Sequence, residues 1–436
     1  MGLSRGSSKR AAPRRSGPPG LAARRAAVGL LAQVLEDGAM LDERGLGALS
    51  SSERAEAHGI AATALRRLGQ IDALLQVFVT REPRPAVLQI LRAMAAEIVF
   101  QGTAPHAAVD LAVRLAKERR DSQRAAGLIN AVGRRLAADG AEITADQDAA
   151  ELNTPEWLAQ RLVEDWGPAI AGAVAAAHID GAYHDLTMRT PGDAKAFARE
   201  IDGRLLPNGS VRWQGRGQLT ALPGFAEGAW WAQDAAAAMP AALIPTTAGK
   251  RVLDLCAAPG GKTMQLVAGG AQVTALDISA DRMKRLEENL SRTGLSADCV
   301  TGDALAWTPE APFDAVLLDA PCSATGTIRR HPDLPHRRRP DLKALTALQS
   351  QLLDRAWGWL APGGVLVYAT CSLLRAEGEA QADAVLARHP DARRTPIEAP
   401  WADGLTTAQG DLRTRPDHWR ERGGLDGFFA TRLAKT

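Results

Sequence analysis

Apolar residues recur at helical spacing through the first third of the chain. Leu21, Val28, Leu31 and Leu35 fall on one face, and Leu30 and Val34 widen it. Ser50-Ser51-Ser52-Glu53 carries the signature of a helix start, with a hydroxyl to cap free amides and an acid in the first turn. Amphipathic runs over 87–100, 109–117 and 122–136 follow, with no strand alternation between them. The pattern predicts an all-α domain over residues 21–138. Residues 139–154 are acidic and mostly polar and read as a linker. Thr154-Pro155-Glu156 starts another helix. Short strands and loops then mix over 186–235, so 155–235 reads as a small α/β connecting subdomain.

From residue 236 the period changes. RVLDL (251–255), QVTAL (272–276), DAVLLD (314–319) and GGVLVYAT (363–370) are apolar strands, and helices are expected over 280–293 and within 342–360. Apolar strands alternating with helices predict a parallel sheet covered on both faces, which makes 236–436 a Rossmann-like α/β domain.

Composition excludes more than it identifies. The 52 basic and 50 acidic residues leave a net charge of +2, which names no partner. Only eight of the basic residues are lysine, and an arginine bias suits phosphate recognition. Residues 1–20 are basic, acid-free and rich in Pro and Gly, and are expected to form a disordered arm. They lack the apolar core of a secretory signal. The longest charge-free run, Ala356 to Leu374, is split by Pro362-Gly363-Gly364 into a helix end and a strand start and so lacks the roughly 20 continuous apolar residues that span a bilayer; no membrane association is expected. The four cysteines include no CxxC pair, which excludes a disulfide framework or zinc finger and fits a reducing cytosol. The histidines show no ligand spacing, and no metal is expected.

The chemistry gathers at strand ends. After the first strand come Cys256, Ala257, Ala258, Pro259, Gly260, Gly261 and Lys262, small residues that let backbone approach a ligand. Asp277 ends the second strand, where a carboxylate can accept both hydroxyls of a ribose. Asp303, in Thr301-Gly302-Asp303-Ala304, follows a further strand expected between 276 and 314 and could reach a base. PGGKT is not a phosphate loop, because Cys256 stands where the first glycine must be, and GxGxxG is absent. A nucleoside ligand without phosphates fits, and S-adenosylmethionine is one. Cys322 and Cys371 leave neighbouring strands over the same edge, with Asp319 three residues before Cys322. That shared placement marks them as functional, whereas Cys256 and Cys299 read as structural cysteines.

DLCAAPGGKT, LDAPCSATGT and YATCSL resemble the motifs of RNA cytosine-C5 methyltransferases. The helical first domain resembles NusB, an RNA-binding antitermination factor. Their order resembles the bacterial RsmB (Fmu/Sun) type of 16S ribosomal RNA methyltransferase, and GLDGFFATRL resembles its closing strand. Gly378 departs from the family pattern, which often has Asn there. The resemblance implies Cys371 as nucleophile at cytosine C6, Asp319 at N3, and Cys322 as the base that takes the C5 proton. It implies an S-adenosylmethionine site formed by residues 256–262 with Asp277, Asp303 and Asp319, lined also by Gln233 and Asp234. The implied partner is 16S rRNA or a small-subunit assembly intermediate, in the cytoplasm. Trp230 and Trp231 read as core or as a stacking platform. Arg329 to Arg339 reads as an exposed basic loop in which Arg337, Arg338 and Arg339 hold RNA backbone. A tRNA enzyme of the same family, a DNA-type enzyme with Cys322 as nucleophile, and a non-catalytic assembly factor remain as alternatives.

Overall fold

The computed structural model describes residues 18–436 apart from 216, 246 and 247, so most of the expected basic arm lies outside the described residues. The chain divides into two compact units, one ending at Gln147 and one running from Asp148 to Thr436.

The first unit is helical. Its helices are α1 (Leu21–Leu35), α2 (Ser51–Arg66), α3 (Leu68–Phe78), α4 (Pro85–Ala95), α5 (Pro105–Lys117) and α6 (Ala126–Ala145). The serine run caps α2 as expected, since Ser50 Oγ accepts the Glu53 amide at 3.3 Å and the Glu53 carboxylate accepts the Ser50 amide at 2.9 Å. Leu30, Leu31, Leu65, Ile71, Leu74 and Leu91 belong to one continuous core. The segment expected as a linker contains the division between the units but is largely helical: α6 runs on to Ala145, and α7 (Ala149–Leu152) follows. Its polar side chains face outward while Gly140 is buried and Ile143 packs on the core, so an alanine-rich helix with one buried face prevails over the acidic composition.

The second unit opens with α8 (Glu156–Trp166) and α9 (Pro168–Asp180). A small antiparallel sheet follows, from β1 (His184–Met188), α10 (Ala194–Glu200), β2 (Arg204–Leu205), β3 (Val211–Trp213) and β4 (Trp230–Ala232), in the order β2-β3-β1-β4. Next come α11 (Ala235–Ala242), β5 (Arg251–Leu255), α12 (Gly261–Ala268), β6 (Gln272–Asp277), α13 (Ala280–Thr293) and β7 (Asp298–Thr301). The chain continues through β8 (Phe313–Asp319), α14 (Leu342–Gly358), β9 (Leu360–Thr370) and α15 (Glu379–Arg388), and closes with β10 (Ala392–Arg394), β11 (Leu412–Thr414) and β12 (Phe428–Lys435). These strands form the large sheet β10-β12-β9-β8-β5-β6-β7, with β11 beside β12. Strands β5 to β9 are parallel, and β12 lies antiparallel to β9. Between β5 and β8 the strand order reverses. Connections leave in opposite directions there and a crevice opens at the carboxyl ends, the place where such sheets bind ligands.

Burial of charge holds the small sheet together. Asp185 on β1 faces Arg212 on β3, and both side chains are fully buried. The guanidinium donates to both carboxylate oxygens at 2.6 and 2.7 Å and to the carbonyls of Arg422 and Gly424 at 2.9 and 2.7 Å. Arg212→Met should cost about 3–5 kcal/mol in urea denaturation, because Asp185 is left buried without its partner. Replacing both residues by apolar ones should cost much less.

Candidate active site

The strand exits around the crevice are level. Leu255 pairs with Leu276 on one side and Leu318 on the other, and Asp319 pairs with Ala369. Above them lies a cleft of about 460 Å³ whose wall includes Cys256, Asp277, Asp303, Asp319, Cys322 and Cys371. Three acids and both paired cysteines therefore meet in one cavity.

On the first side, the turn after β5 is built by backbone. Cys256 sits at φ 64°, and the amides of Cys256 and Ala257 donate to the Leu276 carbonyl at 2.8 and 3.1 Å. Asp277 is buried and accepts the amides of Ala258 at 3.1 Å and Ser279 at 2.9 Å. Arg282 bonds the Ala258 carbonyl. Gly260 sits at φ 101°, where a Cβ would stand 2.7 Å from Leu286, so the turn requires glycine. Ala257, Ala258, Pro259, Gly260 and Gly261 shape this turn and are not in the cleft wall, whereas Cys256 is. Lys262 turns inward and donates to Asp319 at 2.7 Å. Burial opposes its charge, but Asp319 outweighs burial and holds the ammonium above its ordinary value. Asp303 is exposed at the rim, its carboxylate accepting the Leu305 amide at 2.9 Å. Ile278, absent from the sequence expectations, is 70% exposed beside it and offers an apolar face; its position directly after Asp277 was the available signal.

On the other side, the sulfurs of Cys322 and Cys371 stand 3.4 Å apart. The Gly326 amide donates to the Cys371 carbonyl at 2.9 Å, and the Ala320 amide to that of Ala369 at 2.9 Å, so backbone couples the two loops. The bond to Cys371, burial, and the Glu377 charge hold the Cys322 thiol well above its usual value. Burial also raises the thiols of Cys256 and Cys299, and Cys299 is not in the cleft wall.

Two sequence expectations need correction. The segment from Arg329 to Arg339 is not one exposed loop. Arg329 is 2% exposed and donates to the carbonyls of Gly181, Leu425 and Gly423 at 2.9, 2.7 and 2.6 Å. Arg330 pairs with Asp426 at 2.9 Å and with Asp234. Those acids lie 96 residues away on either side, too far for local pattern to reveal. Of its arginines only Arg338 and Arg339 are exposed, and Arg337 lies 3.8 Å from Asp333. Nor do Gln233 and Asp234 line the cleft: Asp234 caps α11 through the Ala236 amide at 2.7 Å, and Gln233 bonds Gln265 at 2.7 Å. Trp230 and Trp231 are buried as core. Among the described residues no cluster of His, Cys, Asp or Glu could hold a metal, and no helix is long and apolar enough to cross a membrane.

The sequence model of the 16S rRNA methyltransferase RsmB/F family matches residues 241–434, and that of the NusB family matches 21–138. A ribosomal RNA small subunit methyltransferase B of Xanthomonas campestris pv. campestris is 36% identical, covering 95% of this chain and 98% of its own. The chain belongs to the ribosomal RNA small subunit methyltransferase B family. Its counterpart in Xylella fastidiosa (strain Temecula1) is 37% identical with the same coverage. Among solved structures, PH0851 superposes with a TM-score of 0.71 at 23% identity, over 96% of this chain and 99% of that one, a likeness of fold. A methyltransferase homolog protein from Pyrococcus horikoshii gives 0.55 at 26% identity, over 65% of this chain and 95% of that one. The methyltransferase match spans the strands that bear the cleft.

Beneath the cleft, burial pushes the Asp254 carboxyl up to about 7, against the Thr263 hydroxyl that donates to it at 2.6 Å. Between the unfolded value of 3.8 and about 7 the folded chain keeps a proton that the unfolded chain releases. Stability from this group is full below that window and falls as pH rises through it, by up to about 1.4 kcal/mol per pH unit. Asp254→Asn cannot ionise and keeps the acceptor for Thr263. Denaturation followed from pH 4 to pH 8 should show the variant gaining on the parent across the window.

Proposed function

We propose that this methyltransferase modifies C5 of a cytosine in 16S ribosomal RNA through a covalent bond between a cysteine and C6. The observation that carries the reading is a pair of thiols 3.4 Å apart in the cleft that also holds Asp319, the carboxylate to which Lys262 donates. S-adenosylmethionine is the methyl donor and supplies an electrophilic methyl group. The cleft suits it: the volume is that of a small-ligand site, Asp277 and Asp303 offer oxygens for ribose and base, and Ile278 offers an apolar face.

Cytosine C5 is a weak nucleophile until the ring gains electrons. Cys371 adds through its sulfur to C6 while its thiol proton passes to N3, which turns the ring into an enamine whose C5 would accept the methyl group that the donor supplies. The Asp319 carboxylate accepts the N3–H so formed, and the Lys262 ammonium against its other oxygen steadies that carboxylate. Cys322 stays a thiol while Cys371 is free, because their mutual bond is the largest contribution holding it up. Once Cys371 is committed to C6 that bond is gone, so Cys322 can lose its proton to water and, with the methyl group on C5, take the C5 proton. Electrons then return to expel Cys371. The target base must be unstacked to enter the cleft, so an unpaired or opened RNA segment is the substrate. The molecule works in the cytoplasm on 16S rRNA or a small-subunit assembly intermediate, with the NusB-like domain as a second RNA-binding element.

Cys371→Ala should abolish both methylation and adduct formation with 16S rRNA. Cys322→Ala should accumulate adducts that survive a denaturing gel. Exchanged phenotypes would make Cys322 the nucleophile and overturn the assignment.

Arg338 and Arg339 remain the exposed cations of the loop that follows Cys322. Replacing both with alanine should weaken RNA binding and flatten its salt dependence by roughly 0.7 per lost contact. Cofactor affinity should not change. A parental salt slope would return them to ordinary solvated surface.

A further inference from the structure

Behind the two cysteines lies a carboxylate that no step above uses. Glu377 is completely buried. Its oxygens accept from the Ser323 amide at 2.9 Å, the Ser323 hydroxyl at 2.5 Å, the Ser372 hydroxyl at 2.6 Å and the Gln349 amide group at 3.0 Å. All four donors are neutral. A buried carboxylate served only by neutral donors is costly, and packing alone would be met better by an apolar side chain.

The identity of the donors gives the carboxylate a purpose. Ser323 directly follows Cys322, and Ser372 directly follows Cys371. Gln349 also donates to the carbonyl of Pro321, the residue before Cys322, at 2.9 Å. The Glu377 carbonyl is itself pinned by the Tyr368 hydroxyl of β9 at 2.7 Å. Each serine has one hydroxyl proton, and both protons point at Glu377. The Ser372 oxygen is thereby left to accept the Leu374 amide at 3.0 Å, which shapes the turn after Cys371.

We propose that Glu377 is a positioning residue that ties the Cys322 loop to the Cys371 loop and so sets the spacing of the two thiols. The inference rests on the reading that both cysteines take part in catalysis. The groups facing the Cys322 thiol are the Cys371 thiol, the Glu377 carboxylate and the Tyr368 hydroxyl; Lys262 and its partner Asp319 stand on the Cys371 side. Among these Glu377 is a fixed negative charge that discourages the Cys322 thiolate.

Glu377→Gln in the full chain keeps the shape, removes the charge and places an NH₂ among four donors. Two measurements test it: the pH dependence of iodoacetamide alkylation at Cys322, read by peptide mass, and steady-state methylation of 16S rRNA. The alkylation profile should move toward lower pH by at least about half a unit, since a charge that raised the thiol is gone. The kcat should fall about tenfold or more while KM for RNA stays within about twofold. A parental profile together with parental kcat would overturn the proposal. Should the variant fail to fold, Ser323→Ala and Ser372→Ala each cut one strap, and parental kcat in both would overturn it equally. Alkylation needs neither RNA nor methyl donor. A shifted profile in a chain that methylates no cytosine would therefore sink the proposed function and leave the positioning role standing.

Discussion

The site depends on the register of four parallel strands. Because β5 pairs with β6 and β8, and β8 with β9, without a slip at their carboxyl ends, side chains distant in sequence arrive at one level. A shift of one residue would turn each strand-end side chain to the other face of the sheet. Asp277, Asp319 and the two cysteine loops would then no longer share a cavity. The register is enforced by burial on both faces: Val252, Leu253, Val316, Leu317, Leu366 and Val367 leave no polar face that could tolerate slippage. Reversal of strand order between β5 and β8 supplies the opening.

Charge inside the second unit is concentrated rather than dispersed. Arg212, Arg329 and Arg330 share a cluster with Asp185, Asp234 and Asp426, and backbone carbonyls absorb the donors that the acids do not reach. Burial, reinforced by the neighbouring Asp234 charge, pushes Asp426 up to about 7. Such a network is conformationally selective, since each partner removed leaves a charge that the interior cannot solvate. Its place next to the loop that follows Cys322 means that two arginines with the appearance of a nucleic-acid contact serve to fix that loop.

The same logic governs the reactive groups. Lys262 and Asp319 pair with one another, and the bond between the two thiols helps to hold Cys322 above its usual value.

Local pattern determined a great deal. The strand over 251–255 and the helix over 280–293 fall where the apolar period places them, and the acids and cysteines at strand ends were legible because loops after parallel strands converge on one edge. The polar stretch over 139–154 does hold the boundary between the two units, but its composition hid a helix, since an alanine-rich helix with a single buried face can carry acids on its outer side. What tertiary structure alone decided were the pairings across long sequence distance. Arg329 and Arg330 read as solvated because Asp234 and Asp426 are far off in the chain, and Lys262 gave no sign that Asp319 would claim it. Glu377 lay six residues past Cys371 with nothing local to mark it. Period and capping act within a few turns, whereas the partner of a buried charge is chosen by whichever donors the folded chain brings within about 3 Å.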